Sequence, residues 1–142
     1  MHIVSQPLPL GEVTIRVNAA ERQLHARLHS AGHLIGQAGE RFGWQPIKAH
    51  HWPGEGRITF NAGAQASLPE ASALLAQVEA WQAEHLPRQI SFVDGLRKVG
   101  FGDMLSYPCG GTHVASLAEL GKVTILQVKM KKGQLIVNYT LE

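Results

Sequence analysis

Two short motifs, far apart in the sequence, constrain the fold of this chain more than any other feature. His29 and His33 are four positions apart in a stretch with helical periodicity, and Cys109 and His113 have the same spacing in a glycine-containing loop about eighty positions later. Imidazole and thiolate are the protein ligands that zinc prefers, so the two motifs together supply four ligands. If they bind one ion, the fold must bring an early helix and a late loop together.

The early motif belongs to a row of three histidines, because His25 precedes His29 by four positions. Side chains at this spacing lie on one face of a helix. Residues 30–32 are serine, alanine and glycine, which leave space beside the pair of His29 and His33, whereas Arg27 brings a positive charge close to the earlier pair. We therefore expect His29 and His33 to be the ligands, and His25 to be solvated or to support a ligand from behind.

A chance origin of these motifs is the alternative. A lone cysteine is most often a small buried apolar residue, and a histidine on an amphipathic helix is most often a polar surface residue. The chain also contains 8 histidines, which raises the odds of an accidental pair. Spacing alone therefore leaves open whether the four residues share an ion.

The size and composition of the chain predict one domain. The 142 residues, 44% of them hydrophobic, suffice for a core without disulfides, so we expect residues 1–142 to form a single domain. The single cysteine excludes an internal disulfide and fits a reducing compartment, which predicts a cytoplasmic protein. No run of about 18 apolar residues occurs, and the start lacks a basic region followed by an apolar run, so we expect neither a membrane span nor a leader segment. We expect no stable protein partner, and the net charge of +2 permits a nucleic-acid partner without requiring one.

Hydrophobic periodicity predicts an α+β fold. A helix is expected to follow Asn18, which can cap it together with Glu21, and to end by Gly43. A second helix is expected to have Pro69 in its first turn. Strands are expected at 12–17 and 57–60, in a hairpin around Asp94 and Gly95, and in a C-terminal β-hairpin from 122 onwards. The prediction is a mainly antiparallel sheet with two longer helices packed on one side.

The two motifs in their sequence context resemble a known family. "LHSAGHLIG" and "PCGGTHVASLAELGKVTI" resemble the editing domain shared by alanyl-tRNA synthetases and the free-standing AlaX-type alanyl-tRNA editing proteins, which is related to that of threonyl-tRNA synthetases. The likeness runs from about Glu21 to the C-terminus, includes "KAHHWPGEGRITF" and "KMKKGQLIVNY", and is to a short form of the family. After "GGTHV" relatives often have Asn-Thr-Gly-Glu-Ile-Gly, of which only Glu119 and Gly121 remain here. This departure bears on substrate range and tRNA selectivity.

The resemblance implies a metal site and an activity. It implies that zinc is bound by four residues, His29, His33, Cys109 and His113. It further implies a zinc-dependent trans-editing hydrolase that deacylates seryl- or glycyl-tRNA for alanine, so tRNA is the expected partner. Two alternatives remain open: a non-catalytic, zinc-stabilised RNA-binding module, and the editing of another aminoacyl-tRNA.

Substrate and catalytic residues are predicted near the ligands. Ser30 follows the first ligand, and we expect it to hydrogen-bond the extra hydroxyl of a serine substrate, with a bond back to its own helix as the alternative. The amides of Gly110 and Gly111 are candidates for binding substrate and stabilising an oxyanion, or they merely form the turn. His51 is a candidate for positioning substrate or water, or it is simply exposed.

Basic residues near the C-terminus are candidate phosphate contacts. The alternative is a solvated strand edge that resists aggregation. The candidates are Lys122, Lys129, Lys131 and Lys132 on the last hairpin, with Arg97 and Lys98 on an earlier one.

Overall fold

The computed structural model describes residues 3–142, and His2, expected to be a surface residue, lies outside them. Two helices and seven strands make up the fold, which is α+β as predicted. In chain order the elements are α1 (Ala19–Glu40), β1 (Trp44–His50), β2 (Arg57–Ala62), α2 (Ala71–Ala83), β3 (Arg88–Val93), β4 (Leu96–Phe101), β5 (Tyr107–Pro108), a 3-10 turn (Leu117–Glu119), β6 (Val123–Lys131) and β7 (Gln134–Leu141). None of the helices in the described part of the chain has the length and apolar character to cross a membrane.

Helix α1 begins where the sequence predicts. The side chain of Asn18 accepts hydrogen bonds from the backbone N–H groups of Ala20 and Glu21, which satisfies two donors that a helix start leaves free. The helix ends at Glu40, and Gly43 then takes a φ of +82° that favours glycine. The second half of α1 is buried on nearly every side, because it packs on the sheet and on α2. This burial fixes the positions of the histidines that the helix carries.

The strands form two separate antiparallel sheets. One contains four strands in the order β1-β2-β7-β6, and the other contains three in the order β3-β4-β5. Both predicted hairpins are confirmed, and each turns through two residues of positive φ, Asp94 with Gly95 and Lys132 with Gly133. Such pairs form the tight turns whose twist matches that of the strands. The two helices and the inner face of the four-stranded sheet enclose the core.

Three details of the predicted elements are wrong. Residues 12–17 form no strand and are exposed, since their alternating apolar residues find no partner strand among the described residues. Pro69 lies outside α2, because Glu70 is the N-cap and the helix starts at Ala71. No strand was predicted at Trp44–His50, the segment that forms β1.

Candidate metal centre and cleft

The four predicted ligands lie together. One donor atom from each of His29, His33, Cys109 and His113 falls within 4.8 Å of the others, so these side chains could hold a metal ion. Cys109 Sγ is 3.4 Å from Nε2 of His29 and 3.4 Å from Nε2 of His113. Bonds of about 2.3 Å from zinc to sulfur and about 2.0 Å to nitrogen would separate two tetrahedral ligands by about 3.5 Å. These two spacings therefore fit ligands of one tetrahedral ion.

Helix α1 supplies the later pair of its three histidines. The ring centroids of His29 and His33 are 5.1 Å apart, while the ring of His25 packs edge-on against Trp52 at 5.2 Å. His25 is not part of the group of donor atoms. The prediction that chose the later pair agrees with this placement.

The ligand loop is held in shape by two arginines from the three-stranded sheet. Arg97 Nη1 donates to the carbonyl oxygens of Cys109, at 2.7 Å, and Gly111, at 3.1 Å. Arg88 Nη1 donates to the carbonyl oxygen of His113 at 2.7 Å. A side chain at position 111 would collide with the ring of His29, so glycine is required there for the loop to approach the helix. The second sheet therefore sets the geometry of the late motif.

Ser30 lies behind His113 and not in the open cleft. Its side chain is fully buried, and its Oγ donates to the carbonyl oxygen of Ala26 at 2.8 Å and accepts from the N–H of Val114 at 3.2 Å. Nδ1 of His113 is 3.1 Å from the same Oγ. Because the hydroxyl has one hydrogen, which Ala26 receives, Nδ1 of His113 must be the donor in the second bond. The lone pair of His113 therefore resides on Nε2, the atom that faces Cys109.

Burial favours the neutral form of the histidines of the centre, which is the form that binds a metal. Burial is the largest cause that lowers the pKa of His33 to about 3 and that of His113 to about 2, and burial also lowers the pKa of His29. Nδ1 of His33 is buried without a hydrogen-bond partner, which is unusual for a ring nitrogen. The Gly111 N–H donates to Cys109 Sγ at 3.4 Å. The donor set therefore fits a soft divalent ion such as zinc.

His51 lies against the centre and is oriented by Tyr139. Its ring centroid is 4.6 Å from that of His29, and its Nδ1 is 2.7 Å from the Tyr139 hydroxyl oxygen. That hydroxyl donates its only hydrogen to the carbonyl oxygen of Leu28 at 3.0 Å, so Nδ1 of His51 must donate to it and Nε2 carries the lone pair. Burial is the main cause that lowers the pKa of His51 to about 4. His51 is thus a neutral imidazole with a free proton acceptor.

The space that His51 occupies depends on Gly32. A side chain at position 32 would collide with the His51 ring and with the Tyr139 hydroxyl. Gly32, which lies between the two helical ligands, therefore makes room for the ring of His51. Tyr139 was not predicted, and its place in an alternating strand gives no sign that its hydroxyl reaches α1.

Two clefts open beside the centre. The first, with a volume of about 300 Å³, is bordered by His33, Lys48, Tyr107 and Cys109, and the second, of about 390 Å³, is bordered by His25, Trp52 and Thr112. His29 and His51 line both clefts. Clefts of this size hold small molecules or the reacting end of a larger one. Lys48 was not singled out from the sequence, although it lies in the quoted stretch "KAHHWPGEG".

The remaining predicted site residues are placed differently. The amide of Gly111 is directed to Cys109, whereas Gly110 is exposed with open space around it. Lys122 forms an ion pair of 2.8 Å with Glu142, and Arg97 is hydrogen-bonded within the ligand loop. Neither Lys122 nor Arg97 is therefore free for a phosphate in this structure. The substrate roles of Ser30, Gly110, Gly111 and His51 stay predictions.

Comparison with known proteins finds a family in the later part of the chain. Residues 96–136 match the model of the threonyl and alanyl tRNA synthetase second additional domain. This segment contains Cys109 and His113, together with the strands β4 and β5 and the first of the two strands in the C-terminal hairpin.

Most of the chain is also similar to alanine–tRNA ligases. The enzyme of Frankia casuarinae is 32% identical over 151 aligned positions, which cover 89% of this chain and 17% of the relative. Those of a Parafrankia species and of Streptomyces avermitilis are each 29% identical, with 82% of this chain and 16% of each relative covered. The chain therefore spans about one sixth of the length of these relatives.

Proposed function

The chain is an AlaX-like editing domain, and on that premise we propose that it is a zinc-dependent hydrolase that deacylates mischarged tRNA for alanine, carrying serine or glycine. The observation that carries the proposal is the convergence of four metal-binding side chains with an unprotonated His51 at the junction of two clefts. Metal-assisted ester hydrolysis uses a Lewis acid, a proton acceptor and space for the acyl group. The cytoplasm, where tRNA is charged, is the proposed location.

Zinc would be held by His29, His33, Cys109 and His113. Bound there, it supplies a positive charge that polarises a carbonyl or acidifies a water. The protein holds the ligands in position. Ser30 determines which nitrogen of His113 faces the ion, and Arg88 and Arg97 hold the loop that contains Cys109 and His113. Ser30 is in this account a positioning residue, since a direct contact with substrate would require its three hydrogen bonds to be exchanged.

His51 is the proton acceptor in the proposed reaction. Its Nδ1 proton is committed to Tyr139, so Nε2 can accept a proton from a water that attacks the ester. The same nitrogen can then return the proton to the ribose oxygen as the bond between that oxygen and the acyl carbon breaks. The amide of Gly110 is the remaining candidate for binding the oxyanion, because that of Gly111 is directed to the sulfur.

Editing is needed because an apolar synthetase pocket rejects an added hydroxyl by only about 100-fold.

A second candidate function has an observation in its favour. Four protein ligands are the usual set of a structural zinc site, whereas catalytic sites keep one position open. A non-catalytic, zinc-stabilised RNA-binding module is therefore the alternative, and editing of another aminoacyl-tRNA would use the same site.

Amino-acid release distinguishes these functions. The purified chain is incubated with tRNA for alanine charged with serine, glycine or alanine, and with a second tRNA charged with threonine. We expect serine or glycine to be released well above the rate without protein, and alanine to be released slowly. Release from none of them above background would contradict hydrolase activity and leave the RNA-binding alternative. Faster release of threonine would reassign the substrate.

A further inference from the structure

The outer face of the four-stranded sheet is made of polar and basic side chains. The inner face, with Ile58, Phe60, Leu135 and Val137, packs against the helices. Strand register places the intervening residues on the opposite face, since directly paired residues share a side. The outer residues are Gln45, Lys48, His50, Arg57, Thr59, Asn61, Thr124, Gln127, Lys129, Lys131, Gln134, Ile136, Asn138 and Thr140.

The charge on this outer face has one sign. The four-stranded sheet contains four lysines and arginines, Lys48, Arg57, Lys129 and Lys131, and all four lie on its outer face. The strands β1, β2, β6 and β7 contain no aspartate or glutamate. The carboxylates at the ends of the sheet contact other side chains, Glu55 by a hydrogen bond of 2.8 Å with His50 and Glu142 by an ion pair of 2.8 Å with Lys122. The positive charge on the face is therefore not neutralised by the strands that carry it.

Nothing within the described residues covers the outer face. All of its side chains are exposed or half-buried, and both helices pack on the other side of the sheet. The four cations span the sheet from β1 to β6, a width of about 14 Å for three strand spacings. At β1, Lys48 also borders the cleft beside the metal centre. The outer face is therefore continuous with the mouth of the candidate active site.

We propose that the outer face binds the sugar-phosphate backbone of duplex RNA. Lysine and arginine neutralise phosphates, and threonine, asparagine and glutamine side chains hydrogen-bond phosphate and ribose hydroxyl groups. Sheets that bind unpaired RNA instead stack bases on aromatic rings. Within the described strands, the outer face carries no phenylalanine, tyrosine or tryptophan. Its composition therefore suits a helical stem and not an unstacked strand.

The identity of the RNA rests on the proposed function. If the cleft receives the aminoacylated 3′ end of tRNA, the stem next to that end lies near β1 and can extend along the sheet. This inference replaces the predicted patch, which combined the two hairpins. Lys129 and Lys131 remain in the surface, whereas Lys122 and Arg97 are bound to protein groups and leave it. Lys48 and Arg57 are added.

Binding of uncharged tRNA tests the inference without any chemistry. The double variant K129Q/K131Q removes the two cations of β6, the strand farthest from the centre. R16Q/R22Q is the matched control, because it also removes two exposed positive charges, but from outside the sheet. The dissociation constant of uncharged tRNA for alanine is measured over a range of salt concentrations, with zinc content and circular dichroism as checks of folding.

The expected result is specific to the outer face. Each phosphate contact contributes roughly 0.7 to 0.9 to the slope of log affinity against log salt, so K129Q/K131Q is expected to lower that slope by about 1.5 and to weaken binding on the order of tenfold. R16Q/R22Q is expected to bind nearly as the unmodified chain does. Equal losses in both variants, or no loss in K129Q/K131Q, would overturn the inference even if serine release is observed. A loss confined to K129Q/K131Q would support it even without hydrolysis.

Discussion

The metal centre and the outer sheet face use polar groups in opposite ways. In the centre nearly every polar atom has a protein partner. The Ser30 hydroxyl donates one hydrogen bond and accepts two, and the ring of His51 is oriented by its hydrogen bond to Tyr139. On the outer face Lys129 and Lys131 are exposed, and no ion pair is formed by either within the described chain. A group that orders a reaction must be held by its neighbours, whereas a group that binds a partner must be left without one. Substitutions in the centre should therefore have large, salt-insensitive effects.

The largest effect is expected from removing the sulfur ligand. Cys109→Ala leaves three imidazoles, and we expect zinc content and serine release to fall together to background. Elemental analysis and the release assay measure the two quantities on the same preparation. Thr112→Ala, in the same loop, is the control and is expected to retain zinc. A Cys109→Ala protein with a full equivalent of zinc would remove the cysteine from the ligand set.

The next largest effect separates catalysis from metal binding. His51→Ala is expected to lower kcat by about 10²- to 10⁴-fold while zinc stays bound, because the proton acceptor is lost and the four ligands remain. Tyr139→Phe removes only the hydroxyl that orients His51, so its loss of kcat should be smaller, with KM little changed. If zinc is lost from His51→Ala in proportion to activity, His51 is a part of the metal site and not a base.

The sequence predicted the centre better than its surroundings, for a physical reason. Residues that bind a metal belong to a few types and occur at particular spacings. The small residues between His29 and His33 then indicated which two of the three helical histidines are the candidate ligands. The Asn18 cap and the Asp94-Gly95 turn are also local, because they depend on a few neighbouring residues. These features could be predicted without knowing the tertiary structure.

The features that were missed depend on contacts between distant residues. Residues 12–17 alternate as a strand does but have no partner strand among residues 3–142. Strand β1 contains Pro46 and a register shift that conceal its periodicity. The contacts of Ser30 with His113 and Val114 could not be derived from the sequence either, because those two residues lie in a loop more than eighty positions away. The single sign of charge on the outer sheet face emerges only when four strands are aligned.

A moderate effect is expected at Ser30, within the centre. Ser30→Ala leaves Nδ1 of His113 and the N–H of Val114 without their acceptor, and buried groups without partners cost about 1–3 kcal/mol each. Zinc affinity should fall about 10- to 100-fold, as for other residues that orient a metal ligand. A competitive chelator titration measures the affinity. Ser30→Thr keeps the hydroxyl and should retain most of it; if both variants bind zinc equally, the hydroxyl does not orient His113.

The smallest effect is expected at His25, which lies on α1 close to the ligands but outside the metal centre. It has the same helical spacing as the ligands, but its ring packs on the exposed Trp52 and its nitrogens are outside the group of donors. His25→Ala should therefore leave zinc content unchanged and alter serine release by no more than about twofold, since the neighbouring ligands keep their own supports. Trp52→Ala is the matched variant, because it removes the other half of the same contact.

Because both residues border the second cleft, a raised KM in the two variants with kcat unchanged would show that substrate extends over this ring pair. A loss of zinc in His25→Ala would instead mean that the centre draws on all three histidines of the helix, and the distinction between the two pairs would fail.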